Sequence, residues 1–261
     1  MANQLTSNAS SIQPVVRAIT LADVKDALAR GLDDFWAMPT HVIFLSMIYP
    51  VLGLILARIA LGYGLLPLLF PLTAGFALVG TFAALGLCEL SRRREQNLDT
   101  QWWRAFQVTK SPAFCSVMVL AIVLTVIFLI WLEAAQGIYV ANVGTLDASS
   151  IPQFARQLFT TGAGWRLIIE GNAVGLLFAA LALTVSFVSF PLLLDHNVTV
   201  TVAVLTSIRV VFRNPLPAAT WGAIIAAALV AGSLPFFIGL AIVMPVLGHT
   251  SWHVYRRAVG D

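Results

Sequence analysis

Polar and apolar positions fall in long blocks along this chain, and a proline stands at each switch from polar to apolar. Three times an amphipathic stretch runs into a proline and then into a long apolar run. The junctions are Met38-Pro39, Ser111-Pro112 and Asn214-Pro215. Ahead of the first, Val24, Leu28, Leu32 and Phe35 recur at helical spacing, opposite Lys25, Asp26 and Asp33. Thr20, with Asp23 three residues later, carries the start signal of a capping box. The pattern predicts an amphipathic helix lying on a membrane surface. A second such stretch runs from about Trp102 to Lys110. A third falls within 195–215, where Asp195 or Asn197 is placed to cap it.

Each apolar run has room for the roughly 20 residues that a bilayer crossing needs. The runs predict six spanning helices, at 41–62, 65–90, 113–136, 166–194, 216–232 and 234–255. Gly62-Tyr63-Gly64 and Gly232-Ser233 close tight hairpins. The expected fold is all-α: a polytopic membrane helix bundle of six transmembrane helices in three hairpins, each preceded by a cytoplasmic interfacial amphipathic helix. Residues 1–17 read as a disordered tail, 18–257 as one transmembrane domain and 258–261 as a C-terminal tail. Within the domain, units at about 20–90, 98–194 and 197–257 read as a repeat; chance likeness among amphipathic stretches is the competing account. The middle unit is longer because of a periplasmic insertion, 137–165. There Ser150 and Pro152 mark the start of a short helix.

Composition makes the bilayer the solvent. The chain has 261 residues, 59% of them hydrophobic and 10% charged, with a mean hydropathy of +0.89. A soluble domain carries roughly 25% charged residues. Residues 1–40 lack a basic-then-apolar leader pattern, so the first span is expected to serve as its own insertion signal. A net charge of +3, with the basic residues at membrane boundaries, argues against nucleic acid as a partner. The expected partners are the lipid bilayer and either a membrane-protein complex or further copies of this chain. Arg17, Lys25, Arg30, Arg92, Arg93, Arg94, Arg104, Lys110, Arg209, Arg213, Arg256 and Arg257 all fall on one side of the predicted spans. The positive-inside rule makes that side, with both termini, cytoplasmic in a bacterial inner membrane.

Ionisable side chains within spans mark either function or a structural pair. Arg58, Glu133, Arg166 and Glu170 all fall near the outer ends of their helices, and Arg166 and Glu170 are i,i+4 neighbours. One reading is an outward-facing charged pocket, Arg58–Glu133–Glu170 with Asn172 beside it, that binds a small polar ligand or lines a proton path. The other is a structural ion pair, or side chains snorkelling to the interface. His249 and His253 share one helix face at i,i+4, a spacing that suits a metal. Interfacial histidines hydrogen-bonded to backbone or headgroups are the alternative, and no metal or cofactor is expected. Cys88 and Cys115 form no C-x-x-C motif. Gly75, Gly80 and Gly86 form a small-residue packing stripe.

The strings R-G-L-D-D-F-W-A-M-P-T-H at 30–41, E-L-S-R-R-R-E at 89–95, F-R-N-P at 212–215 and P-V-L-G-H-T-S-W-H at 245–253 carry a resemblance to a family. It is the bacterial integral membrane protein family called domain of unknown function 2189, some of whose members are labelled cytochrome c oxidase subunits. The resemblance spans about 18–257 and implies no catalytic residues. With no Walker motif, G-x-S-x-G elbow or paired carboxylates, the chain is not expected to be an enzyme. The leading functional reading is an accessory, assembly or scaffold protein, which the family label would place beside a respiratory complex. The alternative is a small transporter or channel using the outward-facing charged pocket.

Overall fold

The two ends of the described chain meet. In the computed structural model, which describes residues 14–38, 51, 54, 55, 58, 85–143, 151–235 and 237–260, strand β1 (Val15–Val16) pairs antiparallel with strand β2 (Val259–Gly260), Val15 opposite Gly260. Arg17 N–H extends the pairing to Ala258 O at 2.8 Å. The rest of the described chain is almost entirely helical.

Helix α1 (Leu21–Ala37) starts as its sequence predicts. Thr20 Oγ1 accepts from Asp23 N–H, and Asp23 Oδ2 accepts from Thr20 N–H at 2.8 Å, closing the capping box. Its buried stripe differs from the expected one. Val24 and Phe35 are buried, but the residues between them are Ala27, Gly31 and Asp34 rather than Leu28 and Leu32. The stripe packs on the C-terminal helix, α9 (Leu240–Ala258). A Cβ on Gly31 would overlap the Thr250 hydroxyl and lie 2.8 Å from Thr250 N. Small residues let the two backbones meet, so the small side of the stripe goes inward and Leu32 stays exposed.

Residues 85–95 form helix α2, which packs on the same partner. Leu87 and Leu90 bury with Phe35, Met38 and Ala105, and Cys88 Sγ–H donates to Gly248 O at 3.3 Å. The helix closes with Asn97 in the left-handed region (φ 54°) and Leu98 N–H bonded to Arg93 O. Of the small-residue stripe, Gly86 lies within the described residues and packs on Ala105. The expected spans 41–62 and 65–84, their Gly62-Tyr63-Gly64 hairpin, and Pro39 lie outside the described residues, apart from isolated positions.

The second amphipathic stretch forms a 3-10 helix, Trp102–Lys110, with Trp102, Trp103 and Phe106 exposed. Helix α3 (Phe114–Val143) then runs away from the paired ends. The short helix of the insertion, α4 (Ile151–Thr160), stands where Pro152 predicts it. Helix α5 (Gly162–Ser186) returns along α3, with Gly175 against the Trp131 ring. Sequence predicts one helix over 166–194. The chain instead breaks at Phe187–Val188 and resumes as α6 (Ser189–Asp195). Pro191 cannot donate to Phe187 O, which loosens the helix there. Ser207 Oγ fills in, donating to Thr184 O at 2.7 Å and accepting from Val188 N–H. Ser207 lies on α7 (Val200–Arg213), which is capped by Thr199 rather than by Asp195 or Asn197. Asp195 is engaged elsewhere, accepting from the Tyr255 hydroxyl at 2.8 Å.

Pro215 opens helix α8 (Pro215–Ser233). Gly232 and Gly239 touch backbone to backbone where α8 turns into α9, and Phe237 takes a positive φ in that turn. The expected start of the last helix at 234 therefore shifts to Leu240. Among the described residues, three stretches are long and apolar enough to cross a bilayer: Phe114–Asn142, Gly162–Asp195 and Pro215–Ser233. Ile122, Ile169, Leu176, Leu177 and Val230 are exposed along them, an apolar surface suited to lipid. The expected all-α membrane class is thus seen, with three candidate spans among the described residues.

Candidate functional site

The three elements that converge at the paired ends, α1, α2 and α9, each contribute polar side chains to one buried cluster. Its centre is Asp34, with a side chain 5% exposed. Asp34 Oδ2 accepts from Ser91 Oγ–H at 2.5 Å and from His253 Nε2–H at 2.9 Å, while Oδ1 pairs with Arg94 Nη1. Ser91 Oγ also lies 2.7 Å from His249 Nδ1. The proton count fixes the roles. Ser91 gives its hydrogen to the carboxylate, so His249 Nδ1 carries the hydrogen of the next bond and donates to Ser91. His249 Nε2 is then a bare lone pair. The ring is fully buried, and Nε2 makes no hydrogen bond among the described residues.

Serine, histidine and aspartate together suggest a hydrolytic triad, but their order differs. In that triad histidine stands between serine and aspartate and takes the serine proton. Here serine stands between histidine and aspartate, its proton on the carboxylate side, and it is 1% exposed. The arrangement joins three helices through one carboxylate.

Burial pushes the Asp34 carboxyl upward. The donors His253, Ser91 and Arg94 outweigh it and hold the group at about 2. The folded value lies below the ordinary one, so the stabilisation is complete above about pH 4 and is lost as pH falls toward 2. It amounts to about 2 kcal/mol. Thermal unfolding in detergent checks this: between pH 5 and pH 3 the wild type should lose more stability than Asp34→Asn. Parallel losses would remove Asp34 as the acid-sensitive group.

Further ion pairs surround the cluster. Glu89 receives Arg92 Nε–H at 2.8 Å and faces Arg93. Glu95 Oε2 accepts from Trp252 Nε1–H at 2.7 Å, and Glu95 Oε1 from Arg256 at 3.2 Å. Arg257 ties α9 back to Asp23 and Asp26.

The structure brings the predicted pair His249 and His253 together in one cluster, His249 fully buried and His253 partly exposed. Among the described residues no group of three or more His, Cys, Asp or Glu is arranged to hold a metal ion. Sequence reasoning missed Asp34, Ser91 and Arg94. A signal for Asp34 existed: it lies seven residues after Ala27 and three after Gly31, on the small side of α1. The strings at 30–41, 89–95 and 245–253, which carry the family resemblance, are also the strings that build the cluster. Away from it, Glu133, Arg166, Glu170 and Asn172 are exposed, as is Arg58. Glu170 Oε2 accepts from Asn142 Nδ2–H at 2.7 Å, and Asn172 Nδ2–H donates to its own helix at Ile168 O. No ion pair joins Glu133, Arg166 and Glu170 among the described residues.

Residues 69–195 match the model of a family described as "Predicted integral membrane protein (DUF2189)". Over this segment the chain is similar to that family. The match includes Ser91 and Arg94 of the cluster, and α3, α5 and α6 with their exposed apolar surface. The protein is therefore an integral membrane protein in contact with the lipid bilayer. No curated protein and no solved structure matches the chain. Asp34, His249 and His253 lie outside the segment that carries the family match.

Proposed function

We propose that this protein is a non-enzymatic accessory, assembly or scaffold protein of a bacterial inner membrane. The observation that carries the reading is the buried cluster. Its polar groups bond mainly to one another, and Asp34 clamps α1, α2 and α9 instead of facing a substrate. A framework held this firmly at one membrane surface suits the presentation of docking elements. The exposed Trp36, the Trp102–Phe106 face and Phe212 are such elements.

The proposal includes six crossings with both termini cytoplasmic. Chain parity supports it. Residue 16 pairs with residue 259, which accords with an even number of crossings. On this proposal the spans expected at 41–62 and 65–90 join α3, α5–α6, α8 and α9 to make six. The arginines gathered at the paired ends favour the cytoplasm for that side. On this reading α1, the 102–110 segment and α7 are the leading elements of three repeat units. A respiratory complex as the partner is supported by the family resemblance alone.

Copurification from native membranes in mild detergent tests the role. A stoichiometric membrane-protein partner is the expected result. A homo-oligomer free of partners would overturn the accessory reading and turn attention to transport.

A further inference from the structure

Beside the buried cluster, the end of the molecule where the strands pair holds a cavity of about 260 Å³. Arg17, Arg30, Glu95, His253, Arg256 and Arg257 line it. Its four guanidiniums come from three separate places in the chain: the residue after β1, the middle of α1 and the last turn of α9. One carboxylate shares the wall with them. Other carboxylates partner some of these arginines from outside the lining. Arg30 Nε bonds Asp26 at 3.0 Å, Arg257 pairs with Asp26 and Asp23, and Arg256 Nη1 lies 3.6 Å from Asp195 while its Nε bonds Glu95. Among the described residues, no hydrogen bond to a carboxylate is made by either Nη group of Arg30 or by Nη2 of Arg256. Arg17 has no carboxylate partner among the described residues. Its guanidinium lies over Gly260, where a Cβ would come within 2.5 Å of Nη2, so the missing side chain on β2 makes room for it.

We propose that this cavity binds a phosphate group. Several guanidinium forks around one space offer more N–H donors than a carboxylate's two oxygens can accept. A phosphate presents more acceptor oxygens, and guanidinium matches their spacing two at a time. The excess of positive charge on the wall favours an anion and would otherwise repel itself. The same chemistry is supplied by the headgroup of an anionic phospholipid and by soluble phosphate. The exposed aromatic residues of α1 and the 102–110 segment, at the same end, are of the kind that sit at headgroup level.

The test uses the full chain in detergent. Thermal unfolding is measured in inorganic phosphate and in chloride at equal ionic strength, for the wild type, Arg17→Gln and Arg17→Gln/Arg30→Gln. Both side chains are exposed, so the variants should keep the wild-type Tm in chloride; the single variant serves if the double one folds poorly. The wild type should gain about 3 °C in phosphate near saturation, and the variants should lose that gain. A second arm reconstitutes the protein into vesicles of phosphatidylglycerol and phosphatidylcholine, then counts retained lipids by native mass spectrometry. Wild-type protein should retain phosphatidylglycerol several-fold more than the variants do. Lipid retention without a phosphate response assigns the site to a headgroup, and the reverse assigns it to a soluble phosphate. Equal behaviour of wild type and variants in both arms, including a phosphate gain that survives substitution, overturns the site.

Discussion

Asp34→Ala should be among the most damaging single substitutions in the described part of this protein. It removes the one acceptor shared by Ser91, His253 and Arg94. Ser91, buried, then keeps only His249 as a neighbour, and His253, 13% exposed, loses its acceptor. Arg94, 38% exposed, can turn toward water or Asp33. Removing one partner of a buried pair costs about 3 to 5 kcal/mol, and the partial exposure of Arg94 points to the lower end. In detergent this should lower Tm by about 10 °C. The neighbouring Asp33 supplies the control, because its side chain is 81% exposed. Asp33→Ala should stay within about 0.5 kcal/mol of the wild type. Equal effects of the two substitutions would mean that the cluster does not hold the helices together.

Gly31→Ala should also destabilise strongly, although the same change in an open helix does the opposite. Glycine to alanine in a helix normally stabilises by about 0.4 to 1 kcal/mol, chiefly by restricting the unfolded chain. At Gly31 the added Cβ would lie 2.8 Å from Thr250 N and 2.9 Å from Thr250 Cα. These are backbone atoms, so no rotamer change clears them, and α1 must move off α9. Overpacking of this kind costs about 1 to 3 kcal/mol or more. Gly137→Ala and Gly171→Ala, on α3 and α5, provide the contrast. A Cβ at either meets nothing within 4 Å, so both should be neutral or stabilising. Thermal unfolding of the three variants decides it, and a stable Gly31→Ala would show that α1 and α9 are not in close contact. Thr250→Ala should rescue only in part, because the backbone overlap remains.

The two predictions concern one helix, and that helix shows where sequence reasoning stops. Its start at Thr20, its length and its amphipathic character are all legible locally, because capping and periodicity are properties of neighbouring residues. The rotation of its buried face is not. Leu28 and Leu32 are the more hydrophobic choice, yet Ala27 and Gly31 go inward because a second helix approaches there. That rotation carries Asp34 inside, so a residue that reads as part of a solvated Asp-Asp pair becomes the centre of the cluster. His249 and His253 could be paired from their spacing. Their partners Ser91 and Asp34 could not, since those lie 158 and 219 residues away in the chain.

The helical breaks follow the same division. Pro191 marks a weak point in the span 166–194, but Ser207, from a later helix, stabilises the break. Thr199 caps α7 because Asp195, the more obvious cap, is held by Tyr255. By itself the sequence determined the solvent, the helical class, most helix positions and the clustering of positive charge toward one side. Those follow from hydropathy, period and local capping, which need no knowledge of distant neighbours. Only the tertiary structure decided which helix faces meet, that residues 15–16 and 259–260 share a strand pair, and that four polar side chains from two other segments close around the Asp34 carboxylate. Those depend on backbone approach and on the burial of charge, and neither exists until the segments are packed.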